Sequence, residues 1–240
     1  MTVLIVLIAL ALAALFIVST INRKQEQEQA RRMQQRKLKL QVDAIVDVVN
    51  CLEQTLPNRM IAKHINDETI VLLQQILNLE TGSTTHIENS IRNAHMRSEE
   101  LASPRNYGNS SYQKGSDAQI THTQEQLGEA AIMLRHICVQ GKISDVELEV
   151  YTSELSWAFL MVSVASYIAQ GHKFLAMSDR FTAHNYYRKA QSLLMESLHP
   201  DERRMRLIRE LGEMIEGSRQ NMSRDLLPER VLADQVLTPA

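Results

Sequence analysis

A chain of 240 residues with only 8 Gly and 5 Pro has too little turn chemistry for an all-β fold, and its abundance of Gln, Glu, Leu, Ala, Arg and Met favours helix. The net charge of -2 conceals an asymmetry, because residues 23–39 carry seven basic and two acidic side chains and leave about -7 for everything else. That is the reverse of the balance expected of a nucleic-acid-binding protein, so no nucleic-acid partner is expected. Two isolated cysteines, Cys51 and Cys138, make neither a zinc site nor a disulfide framework and are expected to be reduced packing residues.

Met1 to Asn22 carry no ionisable side chain, and Val3 to Val18 are apolar without a break. At about 1.5 Å per residue, Thr2 to Ile21 spans roughly 30 Å, the hydrocarbon thickness of a bilayer. Residues 1–21 are therefore expected to be a transmembrane anchor that crosses once. No Lys or Arg precedes the apolar run, and Ala9, Ala11, Ala13 and Ala14 lie inside it, so a permanent signal-anchor is expected in place of a cleaved leader. Arg23, Lys24, Arg31, Arg32, Arg36, Lys37 and Lys39 follow. By the positive-inside rule they hold this side in the cytoplasm and put the N-terminus outside, and they are the candidates for contact with lipid head groups.

Residues 22–37, nearly all Gln, Glu, Arg and Lys, predict a basic polar helical stalk that continues the membrane helix. A first helical half follows over 38–103. Leu38, Val42, Ile45, Val49, Leu52 and Leu56 recur in steps of four and three until Pro57, which predicts a helix packed into its own domain or, alternatively, a coiled-coil homodimer. Asn66 and Asp67 are expected to open the next helix, with Ile70, Leu73, Ile76 and Leu77 inside it and Gly82 closing it. Thr85 and Glu88 have capping-box spacing before a stripe of Ile87, Ile91 and Ala94 that ends near Pro104. Residues 104–117, with Tyr107 and Tyr112, read as a loop serving as a mobile connector.

The second half, 118–225, opens with a helix whose face is Ile120, Leu127, Ala131, Leu134 and Cys138 and which Gly141 terminates. Ser144 and Glu147 form another capping-box pair. The thirteen residues Trp157 to Ala169 lack charge and are too few to span a bilayer, so they predict the central core helix. After Pro200, Leu207, Ile208, Leu211 and Ile215 lie on one side of a charged helix, and 226–240 form a loose tail.

Tyr167, Gly171, Phe174, Ala183, Tyr187 and Ala190 stand at offsets that resemble a tetratricopeptide unit, over about Val164 to Ser197. Gln170 and Met195 depart from that pattern, and no second unit appears thirty-four residues away. The resemblance implies a helical hairpin in which Gly171 and Ala183 allow close approach and Tyr187 fills the gap, or a groove whose aromatic residues hold a partner peptide.

No Gly-rich phosphate loop, His-Glu-x-x-His, Gly-x-Ser-x-Gly or paired-cysteine spacing occurs, and His86 and His95 are too far apart to share a helix face. Neither a cofactor, a metal nor a catalytic residue is expected. The expected fold is all-α: a transmembrane helix running into a stalk, then a multi-helix bundle with a tetratricopeptide-like hairpin. The expected role is a membrane-tethered interaction or scaffold protein of the bacterial inner membrane, with a cytoplasmic domain and an unidentified protein partner. The alternatives are a periplasm-facing, chaperone-like or envelope-assembly partner and, third, an enzyme of unrecognised type.

Overall fold

The computed structural model describes residues 2–103, 110–223 and 226, with side chains described at Ser19 and from Asn22 onward. Among these residues the chain is all-helical. Seven helices follow one another: α1 Thr2–Thr55, α2 Arg59–Leu79, α3 Thr85–Ala102, α4 Asp117–Val139, α5 Asp145–Ala176, α6 Arg180–Glu196 and α7 Arg203–Ile215. Among the described residues no helix is long and apolar enough to cross a membrane. The apolar run read as a span belongs to the backbone of α1, but apart from Ser19 its side chains lie outside the description.

Each boundary has a local cause. Pro57 disfavours the helical conformation at Leu56, which ends α1, and the Asn58 side chain then caps α2 by accepting from the Met60 amide at 3.0 Å. Ser116 caps α4, and Ser144 caps α5 in a reciprocal capping box with Glu147. Gly141 takes a φ of 73° just past α4, a conformation that glycine enters without a Cβ clash. Asp179 caps α6 through the Thr182 amide at 3.0 Å, so only three residues join α5 to α6.

The core has two parts. The larger gathers Val48, Val49 and Leu52 of α1 and Leu56 just past it with Ile61 and Ile65 of α2, Leu127 and Leu134 of α4, Trp157, Met161, Val164 and Ile168 of α5, Tyr187 and Leu194 of α6, and Leu207 and Leu211 of α7. The smaller joins Leu38 of α1 to Ile70, Leu73 and Ile76 of α2 and Ile87 and Ala94 of α3. The seam offered for a homodimer is thus occupied within the chain: Leu38, Ile45, Val49, Leu52 and Leu56 are buried and Val42 is half-buried. A second copy would have to displace α2 and α4 to use it.

Several local expectations are corrected. Asn66 does not open a helix; it is buried in the middle of α2, and its amide donates to the Ala94 carbonyl of α3 at 2.8 Å. Asp67 accepts from Lys63 at 2.9 Å and from the Ser98 hydroxyl. Pro57 and Asn58 had already supplied the breaker and the cap eight residues earlier. The Thr85–Glu88 box does not form, because Thr84 is the N-cap residue and its side chain makes no capping bond. In α4 the buried face is turned by one residue, to Ala130 and Ile137, with Ala131 and Cys138 at its edge. Cys51 and Cys138 are free and half-buried.

The connector is tied down where it is described. Residues 104–109, with Tyr107, lie outside the described residues, but Ser111 N–H donates to the Gln54 carbonyl and Lys114 N–H to the Ser166 hydroxyl, both at 2.8 Å. Tyr112 enters the larger core.

The segment after α7 also returns to the core, since Met222 and Leu226 are buried; the rest of the expected tail, 227–240, lies outside the described residues. Glu210, 2% exposed, holds that segment by accepting from Ser223 N–H at 2.8 Å and from the Ser223 hydroxyl at 2.7 Å. A hydrogen bond to a charged group contributes about 1.5–3 kcal/mol. Changing Glu210 to Ala is therefore expected to release the segment, and limited trypsin digestion should cut after Arg219 several-fold faster than in the unaltered chain.

Candidate functional site

The six residues that resemble a tetratricopeptide unit fall into two groups. Gly171, Ala183, Tyr187 and Ala190 are buried where α5 crosses α6. A Cβ on Gly171 would stand 2.7 Å from Cδ1 and 2.9 Å from Cζ of Tyr187, so the tyrosine ring fills the space that the missing side chain leaves. The Tyr187 hydroxyl meets His172 Nδ1 at 3.1 Å, a partner that the family pattern did not single out. Tyr167 and Phe174 are half-buried and stand beside Tyr186, with Phe174 stacked on it at 5.5 Å and Lys189 Nζ 4.1 Å above the Tyr167 ring. This second group is an aromatic ledge; the first has no surface to offer a partner.

Two expected outcomes follow from the hairpin. Gly171→Ala should lower stability by about 1–3 kcal/mol through overpacking, seen as a fall of several degrees in Tm. Gly128→Ala in α4, where an added Cβ meets nothing within 4 Å, should instead be neutral or stabilising. Burial also holds the His172 imidazole below its ordinary value of 6.5, and burial likewise lowers His64. Histidines of this kind bind a proton less readily in the folded chain than in the unfolded one. Their contribution is complete above 6.5 and is lost as pH falls below it. Tm should therefore decline between about pH 7 and about pH 5.5, and His172→Asn, which keeps an acceptor for Tyr187, should flatten part of that decline.

The residues offered for head-group contact all lie on α1. Arg23, Lys24, Arg32, Arg36, Lys37 and Lys39 are exposed, Arg31 is half-buried, and Arg32 pairs with Glu28 at 3.8 Å. At about 100° per residue these seven positions fall all round the helix, a collar and not a one-sided patch.

A third place gathers more chemistry than either. A cleft of about 480 Å³ is framed by Pro57 after α1, Tyr112 of the connector, Glu149, Val150, Ser153, Glu154 and Trp157 of α5, His199 and Asp201 between α6 and α7, and Arg203 at the start of α7. Trp157 is the only tryptophan of the chain. His199 lies 5.2 Å from its ring, and the Arg203 guanidinium sits 4.9 Å above it. Asp201 holds Arg203 through two parallel bonds of 2.9 and 2.6 Å, which lowers the aspartate from its ordinary value. His199 Nδ1 accepts from Asp201 N–H at 3.2 Å, so Nε2 is the donor that faces the Ser153 carbonyl at 3.1 Å. Burial raises the Glu154 carboxyl, whose bond is from the Asn58 amide at 2.8 Å, and pushes Tyr112 up to about 12.

Sequence reasoning missed this cleft because its parts come from three connections and two helices, α5 and the first residue of α7. Glu154, three residues ahead of the sole Trp, was the one local signal. A further groove of about 400 Å³ runs between α1, α2 and α3, with Lys39 and His86 on its rim. Among the described residues no group of three or more His, Cys, Asp or Glu could hold a metal ion.

The arrangement is that of an all-helical protein organised on one long helix, with an acidic, aromatic-lined cleft at the far end of that helix. Comparison of the chain with protein-family models, with curated proteins and with solved structures gives no match.

Proposed function

We propose that this chain is a membrane-tethered interaction protein, anchored once by residues 1–21 with its N-terminus outside and its helical bundle in the cytoplasm of a bacterium. The observation that carries the reading is that α1 runs unbroken from Thr2 to Thr55, so that an apolar run, a basic collar and part of the bundle core share one helix. Fifty-four residues at about 1.5 Å each make a rod of roughly 80 Å, whose apolar first part is long enough for a bilayer. The collar supports the orientation, because seven basic residues follow the anchor within roughly eighteen residues of its end, about the distance over which such charges set topology. Tethering makes encounters with membrane-bound partners intramolecular in effect, so modest affinity suffices for occupancy. No catalytic role is assigned.

The test is fractionation with a topology reporter. The full chain should remain in the membrane pellet through an alkaline wash, and removal of residues 2–21 should release it in a folded, helical form. A reporter fused after Ala240 should behave as cytoplasmic. Release of the full chain by the wash would remove the anchor from the proposal, and a reporter active only in the periplasm would reverse the orientation.

A further inference from the structure

We propose that the cleft between Pro57, Tyr112, Val150, Glu154 and Trp157 docks a basic segment of a partner protein, whose lysine or arginine side chain places its cation against Glu154 and the Tyr112 hydroxyl. Charge is the first argument. Arg203 is close enough for Glu154 to feel it, but its hydrogen bonds go to Asp201, so that pair is neutral within itself. Glu149 and Glu154 remain, and among the described residues neither forms an ion pair. A half-buried carboxylate whose bond comes from a neutral amide is a place where a cation gains more than it would on an open surface. The helix that carries both acids has no Lys or Arg from Asp145 to His172, so nothing nearby on α5 supplies the missing charge.

The Tyr112 hydroxyl is an independent observation. The residue is 6% exposed, its hydroxyl makes no hydrogen bond in the structure, and the charges that act on it are Arg203, Glu154 and Asp201, all belonging to the cleft. The hydroxyl belongs to the lining of the cleft and has no partner within the chain, so it can accept from an ammonium or guanidinium seated beside Glu154. The rim fits the stem of such a side chain, since Pro57 and Val150 are exposed and aliphatic stems of Lys and Arg cover apolar surface while the charge reaches a polar site. Val146 and Leu198, 72% and 95% exposed, neighbour the rim in sequence; a polypeptide segment could cover them, whereas a small free amine would not. This deepens the tethering reading by naming the partner's chemistry. Binding measured in detergent does not depend on which way the anchor faces, so the two proposals fail separately.

The fluorescence of Trp157 reads the cleft directly, because the chain has no other tryptophan. The full chain in a neutral detergent would be titrated with a capped peptide of ten residues containing three lysines and two leucines. The same peptide with glutamate in place of lysine, and free spermidine, would serve as comparisons. The expected result is a saturable change with the lysine peptide, weakened by added salt. Affinity should drop about tenfold or more in the Glu149→Gln, Glu154→Gln double variant and severalfold in Tyr112→Phe, with Tm and the circular dichroism spectrum unchanged. Should Glu154→Gln impair folding, Glu149→Gln alone, on the exposed rim, must still reduce affinity. Absence of a saturable change, equal binding of the glutamate peptide, or unaltered affinity in the folded variants would overturn the proposal. Spermidine binding as tightly as the peptide would also overturn it, since the cleft would then take a free amine and not a protein segment.

Discussion

Burial of the last third of α1 is the constraint on which the other helices depend. Val48, Val49, Leu52 and Leu56 are at most 2% exposed and meet α2 and α4, while Leu38 and Ile45 extend the same seam toward the collar. Each fully buried aliphatic side chain contributes about 1.5–3 kcal/mol, so the seam as a whole is large on the scale of a domain's stability. Because the seam and the collar lie on one uninterrupted helix, the collar cannot swing freely relative to the bundle. A Pro or Gly pair between Asn22 and Leu38 would have made a hinge, and the sequence has none.

Around that helix the chain builds outward by short connections. α2 returns beside α1 after Pro57, and α3 returns beside α2 through Asn66, whose buried amide joins the two. On the other side α5 is the central element: Ala158, Met161, Val162, Val164, Ala165 and Ile168 have no exposed surface, and α4 and α6 pack against it. The close crossing of α5 and α6 requires Gly171, since any larger residue would enter the volume of the Tyr187 ring. The tetratricopeptide-like pattern therefore has a physical meaning within this chain, a small residue opposite a large aromatic one, whether or not the unit is related to a repeat.

What could be read from the sequence was whatever a single helix decides for itself. The all-helical class, the stop at Pro57, the Ser144–Glu147 box and the φ-positive Gly141 are local, and each is present. Asn66 was misread because a buried polar residue in mid-helix carries the same letters as a cap; only the α3 backbone, twenty-eight residues away, distinguishes them. The one-residue turn of the α4 face has a similar origin, since Ala130 and Ala131, like Ile137 and Cys138, are both apolar enough to satisfy a 3.6-residue period. The cleft could not be read at all. Tyr112, Glu154, His199 and Arg203 share neither a helix nor a spacing, and they meet only after three connections have been placed by packing elsewhere.

The separation of charge along α1 gives this placement a consequence. From Thr55 the helix rises about 24 Å to Lys39, the near end of the basic collar, and about 48 Å to Arg23, so the collar and the acidic cleft beyond Thr55 stand about three to six times the Debye length of about 8 Å apart at physiological salt. At that distance the collar can hold to an anionic surface without drawing the cleft onto it, and the cleft's own acidity keeps it off that surface. A basic partner segment approaching the cleft is likewise beyond the repulsion of the collar. If the collar meets head groups and the cleft a basic segment, as proposed, one rigid helix keeps the two opposite charges from interfering, which a flexible stalk of the same composition would not do.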